Sequence, residues 1–119
     1  MSKIILLVEE YEDARLFTQH LLEGYGHEVI SVADGYDAVE SCKTHPPDLI
    51  LMDIALPIMD GLAATKAIRE AETGSSIPII AITAHGNHFY ERAIAAGCND
   101  LIEKPIDFDV FEYVLKQYL

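Results

Sequence analysis

The stretch LILMDIALPIMDG, residues 49–61, decides the fold. Its first four residues, Leu49 to Met52, are apolar, and a carboxylate, Asp53, follows them at once. A continuous apolar run of this length is typical of a strand that is buried on both faces of a parallel sheet. Pro57 and the pair Asp60-Gly61 then predict a turn into the next helix. The sequence therefore places an ionisable group at the end of a buried strand.

Strand-length and helix-length segments alternate along the whole chain. Apolar runs predict strands at 4–8, 49–52 and 77–82, and weaker patterns favour strands at 27–32 and 100–103. Apolar residues at helical spacing predict helices from residue 12 to about 24, around 38–42, at 62–71, at 93–96 and at 110–118. The first helix is expected to bury Ala14, Phe17, Leu21 and Leu22 on one face. This order predicts an α/β fold with a doubly wound, five-stranded parallel sheet that helices cover on both faces.

Length and composition fit a single domain over residues 1–119. Half of the 119 residues are hydrophobic and 24% are charged, which argues against a disordered chain. Eight Lys and Arg residues face twenty Asp and Glu residues, and the net charge of −12 argues against nucleic acid or an anionic membrane as a direct partner. The sequence has no secretory signal and no membrane-length apolar run, so we expect a cytoplasmic protein. Cys42 and Cys98 lack metal-ligand spacing and are expected to be reduced thiols in the core.

Polar residues follow the predicted strands at the point where each strand ends. In an open doubly wound sheet, ligands bind outside the carboxyl ends of the strands. The residues at these positions are Glu9-Glu10 after the first strand, Asp53 after the third, Thr83-Ala84 after the fourth and Glu103-Lys104-Pro105 after the fifth. We therefore expect carboxylates, one hydroxyl and one ammonium group to meet at one edge of the sheet.

Carboxylates in such a cluster need a positive charge among them. Two of them 4 Å apart repel by about 4 kcal/mol at an effective dielectric constant of 20. Lys104 supplies one positive charge, and a hard divalent cation with oxygen ligands, most naturally Mg²⁺, would supply the rest. Residues 9–13 of the first turn, EEYED, contain no glycine-rich phosphate loop. Four acids there would repel a diphosphate, which argues against dinucleotide, Walker-type and flavodoxin-type phosphate binding.

With these residues at the strand ends, the chain resembles a known family, the CheY-like receiver domains of two-component response regulators. The resemblance covers the whole chain and rests on Glu9-Glu10, Arg15, DIALPIMDG at 53–61, Thr83-Ala84 and Lys104-Pro105. The separations between Glu10, Asp53, Thr83 and Lys104 are 43, 30 and 21 positions. Each motif is weak alone, but the set in this order is specific. The resemblance implies a (βα)5, flavodoxin-like fold with strand order 2-1-3-4-5.

The resemblance also implies a role for each matching residue. Asp53 would accept a phosphoryl group as an acyl phosphate. Mg²⁺, with Mn²⁺ able to replace it, would be held by Glu9, Glu10, Asp53 and the backbone carbonyl of Ala55. Thr83, Ala84 and Lys104 would contact the phosphoryl group and carry the switch, and Pro105 occupies a place where the family commonly has a cis bond.

The implied function is signalling, and not conventional enzyme catalysis. The donor would be a phosphohistidine on a histidine kinase or phosphotransfer domain, or a small acyl phosphate. Phosphorylation would change the affinity of a face built from the fourth helix, fifth strand and fifth helix for an output protein. The chain is expected to be a monomer or weak homodimer, and either a stand-alone regulator or a receiver cut from a larger protein.

Two positions depart from the family pattern, and two others lie where the family usually sets the lifetime of the phosphoryl group. Glu10 stands where aspartate is usual, so we expect weaker Mg²⁺ binding or a bridging water. Leu101 stands at the aromatic switch position, where Phe89 or Tyr90 of the fourth helix could compensate. Ala55 and His85 occupy the two positions that usually set phosphoryl lifetime.

Two alternatives to a working receiver remain at this level. A degenerate receiver would bind partners without Mg²⁺ or phosphate, and Glu10 and Leu101 are its support. A haloacid-dehalogenase-like phosphatase also uses a strand-end aspartate, but it needs a second aspartate two positions later as general acid. Ala55 occupies that position, which argues against the phosphatase.

Overall fold

The computed structural model describes residues 3–56, 59–71, 74, 76–84 and 86–119. The strands are β1 (Ile4–Val8), β2 (Glu28–Val32), β3 (Leu49–Asp53), β4 (Ile79–Thr83) and β5 (Asp100–Glu103). The helices between and after them are α1 (Glu12–Gly24), α2 (Gly35–Thr44), α3 (Gly61–Glu70), α4 (Gly86–Ala96) and α5 (Phe108–Tyr118). The strands form one parallel sheet in the order β2-β1-β3-β4-β5. The predicted α/β fold and the strand order 2-1-3-4-5 are both confirmed.

The core is divided by the sheet into two layers. Every residue of β3 and β4 is buried, as the apolar runs predict. Because successive side chains of a strand point to opposite faces, Ile50 and Met52 pack on one side and Leu49 and Leu51 on the other. Helices α2, α3 and α4 cover the first face, and α1 and α5 cover the second.

Glycine, aspartate and proline residues fix several element ends. Gly26 has a φ of 94°, a left-handed conformation that favours glycine, and its N–H donates to the carbonyl of Glu23 to close α1. Asp60 caps α3, since its Oδ1 accepts from the Ala63 N–H at 2.8 Å. The start of β4 lies two residues later than predicted, at Ile79, and Pro78 before it has no N–H to donate to the sheet.

One prediction about a helix is wrong, and another gave a helix that is too short. Phe17 is 56% exposed, whereas Thr18 and Leu22 are the buried residues of α1. Phe17 lies at the border between α1 and the start of α5, where its ring packs against that of Phe108 at a centroid distance of 6.1 Å. Helix α4 begins at Gly86, seven residues before the predicted 93–96 segment. The prediction for the two cysteines is confirmed, because Cys42 and Cys98 are buried free thiols.

Candidate functional site

The carboxyl ends of the strands bring the predicted site residues to one edge of the sheet. Val8 is in register with Met52, Asp53 with Ile82, and Thr83 with Glu103. The ladder continues one step beyond β5, where the Lys104 N–H donates to the carbonyl of Thr83 at 2.8 Å. Strand register therefore places Glu9, Asp53, Thr83 and Lys104 beside one another.

An ammonium group joins two buried carboxylates at the centre of this edge. Lys104 Nζ lies 3.0 Å from Glu9 Oε1 and 3.1 Å from Asp53 Oδ2. The two acids are almost fully buried, at 5% and 3% exposure, while about a third of the Lys104 side chain is exposed. One positive charge thus serves two negative charges, and the cluster keeps an excess of one negative charge when all three groups are ionised.

Burial and mutual contact separate the proton affinities of the two acids. Burial, a hydrogen bond with Glu9 and the Glu9 charge together raise the pKa of Asp53 to about 6, although Lys104 acts in the opposite direction. Burial also opposes ionisation of Glu9, but hydrogen bonds with Asp53 and Lys104 outweigh it and lower the pKa of Glu9. The same contacts overcome burial to raise the pKa of Lys104. The pair therefore holds one proton on Asp53 in mild acid and none at neutral pH.

The loop between β1 and α1 holds Glu9 in place. The Tyr11 N–H donates to Glu9 Oε2 at 3.3 Å, and Arg15 Nη1 donates to the carbonyls of Glu9 at 2.9 Å and Glu10 at 3.2 Å. The Glu9 N–H donates to the carbonyl of Val32 at 3.1 Å. Arg15 therefore acts from α1 on the backbone carbonyls of Glu9 and Glu10, while the Glu9 carboxylate contacts Lys104.

Residues at both ends of the segment between β3 and α3, Ala55 and Gly61, lie directly against Asp53. The Ala55 N–H donates to Asp53 Oδ1 at 2.9 Å, so each oxygen of this carboxylate has a donor. A Cβ atom at residue 61 would collide with the Asp53 carbonyl and lie 2.8 Å from the Ile54 Cα. Glycine at position 61 is therefore what allows α3 to start directly against the end of β3.

A cavity of about 450 Å³ opens onto Asp53 from the side of α4. It is lined by Asp53, Ala55, Asp60, Leu62, Thr83, Ala84, Phe89, Arg92 and Lys104, among others. The cavity is large enough for a tetrahedral anion beside Asp53, and the described residues that line it include the cationic side chains of Arg92 and Lys104.

The donor set fits a magnesium ion at this edge. Glu9 and Asp53 supply carboxylate oxygens and an uncompensated negative charge, and Mg²⁺ is commonly bound by one or two carboxylates together with several waters. Glu10 is exposed, and within the part of the chain that the structure describes no three acidic, His or Cys side chains converge as metal ligands. Glu10 thus lies outside the buried pair, where a water could link it to the ion.

The remaining predicted residues have different outcomes. The Lys104–Pro105 peptide bond is cis. Leu101 is partly buried and packs against the hydrophobic cluster under α4. His85 and Pro57 lie outside the residues that the structure describes. Sequence reasoning missed Arg92, although its spacing of three positions from Phe89 on the helix after Thr83 could have indicated it.

Comparison with known proteins gives matches along nearly the whole chain. A family model described as the response regulator receiver domain matches residues 5–116. The polar-differentiation response regulator DivK of Brucella abortus is 38% identical over 120 residues, which cover 100% of this chain and 98% of DivK.

Solved structures give the same picture. The receiver domain of the sensor histidine kinase PA1611 from Pseudomonas aeruginosa, which holds a magnesium ion in its active-site cleft, has a TM-score of 0.93 and 37% identity, over 99% of this chain and 98% of that one. The chemotaxis response regulator CheY4 of Vibrio cholerae has a TM-score of 0.93 and 25% identity over the full length of both chains. Among the described helices, none has the length and apolar character to cross a membrane.

Proposed function

Because this chain belongs to the family of response regulator receiver domains of two-component signalling, we propose that Asp53 accepts a phosphoryl group from a phosphohistidine and thereby switches a protein–protein interaction. The donor is a histidine kinase or a histidine phosphotransfer domain, and a small acyl phosphate can replace it. The chain acts as one receiver domain over residues 1–119, as a signalling module and not as a conventional enzyme. Its free thiols suit the reducing cytoplasm.

The contact between Lys104 and Asp53 carries this proposal. A carboxylate is a competent nucleophile when it is ionised and held in line with its donor. The buried central strand β3, the Ala55 N–H and the Lys104 ammonium hold the Asp53 carboxylate in place, and the cavity beside it has room for the phosphoryl group. Phosphoryl transfer needs little more than such positioning and charge neutralisation.

The transfer balances without any further reactant. An Asp53 carboxylate oxygen supplies an electron pair to phosphorus, and the P–N bond to the donor imidazole breaks. The imidazole nitrogen keeps that electron pair and takes up a proton from the solvent. The product is a mixed anhydride on Asp53, whose new negative charge faces Lys104 and the Thr83 hydroxyl.

Glu9, Asp53 and the backbone carbonyl of Ala55 would hold Mg²⁺, with Glu10 reached through water. When bound, the ion supplies a positive charge next to the transferring group. Mn²⁺ is expected to replace it, since both ions prefer oxygen ligands. The receiver domain of PA1611, which holds magnesium in its active-site cleft, supports this assignment.

The output surface is proposed to be the face of α4, β5 and α5. Exposed apolar side chains lie on both helices of this face, among them Tyr90, Ile94 and Tyr113. Such side chains suit a protein partner, and the net charge of −12 disfavours nucleic acid and anionic membranes. We expect a monomer or a weak homodimer.

Incubation with acetyl phosphate and Mg²⁺, followed by intact mass measurement, tests the proposal. We expect one phosphate adduct on the wild-type chain and none on the Asp53→Asn variant. Omission of Mg²⁺, with EDTA present, should remove most of the adduct. A wild-type chain that gains no phosphate from acetyl phosphate or from a phosphohistidine donor would instead be a degenerate receiver.

A further inference from the structure

Two side chains of α4 lie on the wall of the Asp53 cavity and contact each other. The guanidinium carbon of Arg92 lies 5.0 Å from the centroid of the Phe89 ring, a distance typical of a cation–π pair. Phe89 is partly buried and packs against the hydrophobic cluster under α4, whereas Arg92 is exposed. The Phe89 ring is thus held by packing against the core, and the Arg92 guanidinium lies over it at the cavity wall.

Among the described residues that line this cavity, Arg92 is the cation without an acidic partner. In the described part of the chain, no ion pair or hydrogen bond holds the Arg92 guanidinium, whereas Lys104 is bonded to both Glu9 and Asp53. Phosphorylation, under the proposed function, replaces a singly charged carboxylate by a group with about two negative charges. Lys104 is already shared between two acids, so the added charge attracts the next cation on the cavity wall.

Leu101 is poorly placed to respond to the added negative charge instead of Arg92. A Cβ atom at residue 86 would lie 3.2 Å from Leu101 Cδ2 and 3.2 Å from Glu103 Oε2, so the first turn of α4 sits directly on these two side chains. Leu101 therefore fills the space beneath α4, and its aliphatic side chain has no polar group to follow a charge. The cationic group that α4 presents to this cavity is the Arg92 guanidinium.

We propose that Arg92 is the positioning residue through which α4 responds to the phosphoryl group, in place of an aromatic residue at position 101. On phosphorylation the guanidinium leaves the Phe89 ring and pairs with phosphoryl oxygens across the cavity. A planar guanidinium fits this role because it can donate two parallel hydrogen bonds to a phosphate. The inference rests on the proposed function, since it needs phosphate on Asp53.

Amide hydrogen exchange of α4, measured with and without acetyl phosphate and Mg²⁺, tests this role. Mass separates the phosphorylated species, so exchange is compared only on chains that carry phosphate. In the wild-type chain we expect exchange of α4 amides to slow by about fivefold or more, the lower end of usual coupling between sites. Arg92→Gln should lose this change while Asp53 still takes up phosphate. Arg92→Lys, which keeps the charge but not the planar fork, should keep part of it.

Glu91→Gln is the matched control, because it changes an exposed charge on the adjacent residue of the same helix and should keep the full response. An Arg92→Gln chain with an undiminished α4 response, or with no phosphate uptake at all, would overturn the inference and leave the proposed function in place. A wild-type chain that takes up phosphate without any change in α4 would do the same. A wild-type chain without a phosphate adduct would remove the proposed function and the inference with it.

Discussion

Asp53 is an acid held where its charge is disfavoured, and this has a consequence for stability. Its pKa rises from an ordinary 3.8 to about 6, first because of burial and then because of Glu9. Between pH 4 and 6 the folded protein therefore keeps a proton that the unfolded chain has released. Since the folded state binds more protons in this window, its free energy of unfolding falls as the pH rises.

The Asp53→Asn variant should reveal this effect when both chains are unfolded in urea with EDTA present. Asparagine has no proton to lose, so we expect its stability relative to wild type to increase from pH 4 to pH 6 and then to level off. The full change should not exceed about 3 kcal/mol, which corresponds to a shift of about two pKa units. A difference between the two chains that stays constant over this range would contradict the raised pKa. The lowered pKa of Glu9 acts at more acidic pH, where protonation removes stability.

Glu10 gives a second prediction at this scale. Its side chain is exposed and lies outside the buried pair of Glu9 and Asp53, so we expect it to contribute little to the binding of an ion held by those two carboxylates. We expect Glu10→Asp to tighten Mg²⁺ binding by about tenfold, the usual order for a group that orients a metal site. The Mg²⁺ concentration that gives half-maximal phosphorylation of Asp53 measures this. Glu12→Asp, the same change in the first turn of α1, should leave that concentration unaltered, and equal values for both variants would contradict the prediction.

The elements show where sequence patterns succeed. Strands β1, β3 and β4 are buried on both faces, and their continuous apolar runs are visible without any knowledge of their neighbours. The early part of α4 is different, because most of its side chains contact solvent or the cavity and show no apolar period. The predicted burial of Phe17 is wrong for a related reason, since its apolar side chain packs against the exposed ring of Phe108 and not against the sheet. Patterns report burial against the sheet, and they miss contacts between loops and helix ends.

The contacts of Arg69 are of this kind, and they tie α3 to Gly74 and to the residues that follow α4. Its Nε donates to the Gly97 carbonyl at 2.9 Å, Nη1 to the Gly74 carbonyl at 2.7 Å, and Nη2 to Asn99 Oδ1 at 2.7 Å. Asn99 Oδ1 also accepts from the Ile79 N–H at 2.9 Å, so the network reaches the first residue of β4. Its partners are 5 to 30 positions away in the sequence, which is why no local pattern predicts it.

Arg69→Met should therefore destabilise the fold without touching the site. Three hydrogen bonds from a charged donor are lost and two carbonyls are left in a partly buried region, so we expect a loss of about 3 kcal/mol in the free energy of unfolding. Urea unfolding at neutral pH measures it. Lys66→Met on the same helix removes an exposed cation and should change stability by no more than about 0.5 kcal/mol. Equal effects of the two substitutions would show that the network adds nothing.

The site as a whole is a product of topology. Its buried acids, its hydroxyl and its ammonium all lie at or directly after the carboxyl end of a parallel strand, and parallel strands end at the same edge. That rule identified Glu9, Asp53, Thr83 and Lys104 from sequence. The rule did not predict that Glu9 is the buried member of the Glu9–Glu10 pair and that Glu10 is exposed. It also gave no information on Arg92, which lines the cavity from α4. Strand ends are fixed by the sheet, whereas helix and loop side chains depend on packing that has no local signature.

The charge of the molecule sets the background for a last prediction. At a net charge of −12 any salt should stabilise the fold by screening repulsion among acidic groups. Mg²⁺ at matched ionic strength should add a further increment, because it binds the folded site and not the unfolded chain. At ten times its dissociation constant this increment is about 1.4 kcal/mol. Thermal unfolding in MgCl₂ and in NaCl measures it. Glu9→Gln removes one of the two buried carboxylates, so the variant should keep the stabilisation by NaCl and lose the additional stabilisation by Mg²⁺. If the additional stabilisation by Mg²⁺ survives the substitution, Mg²⁺ acts only as a general screening ion.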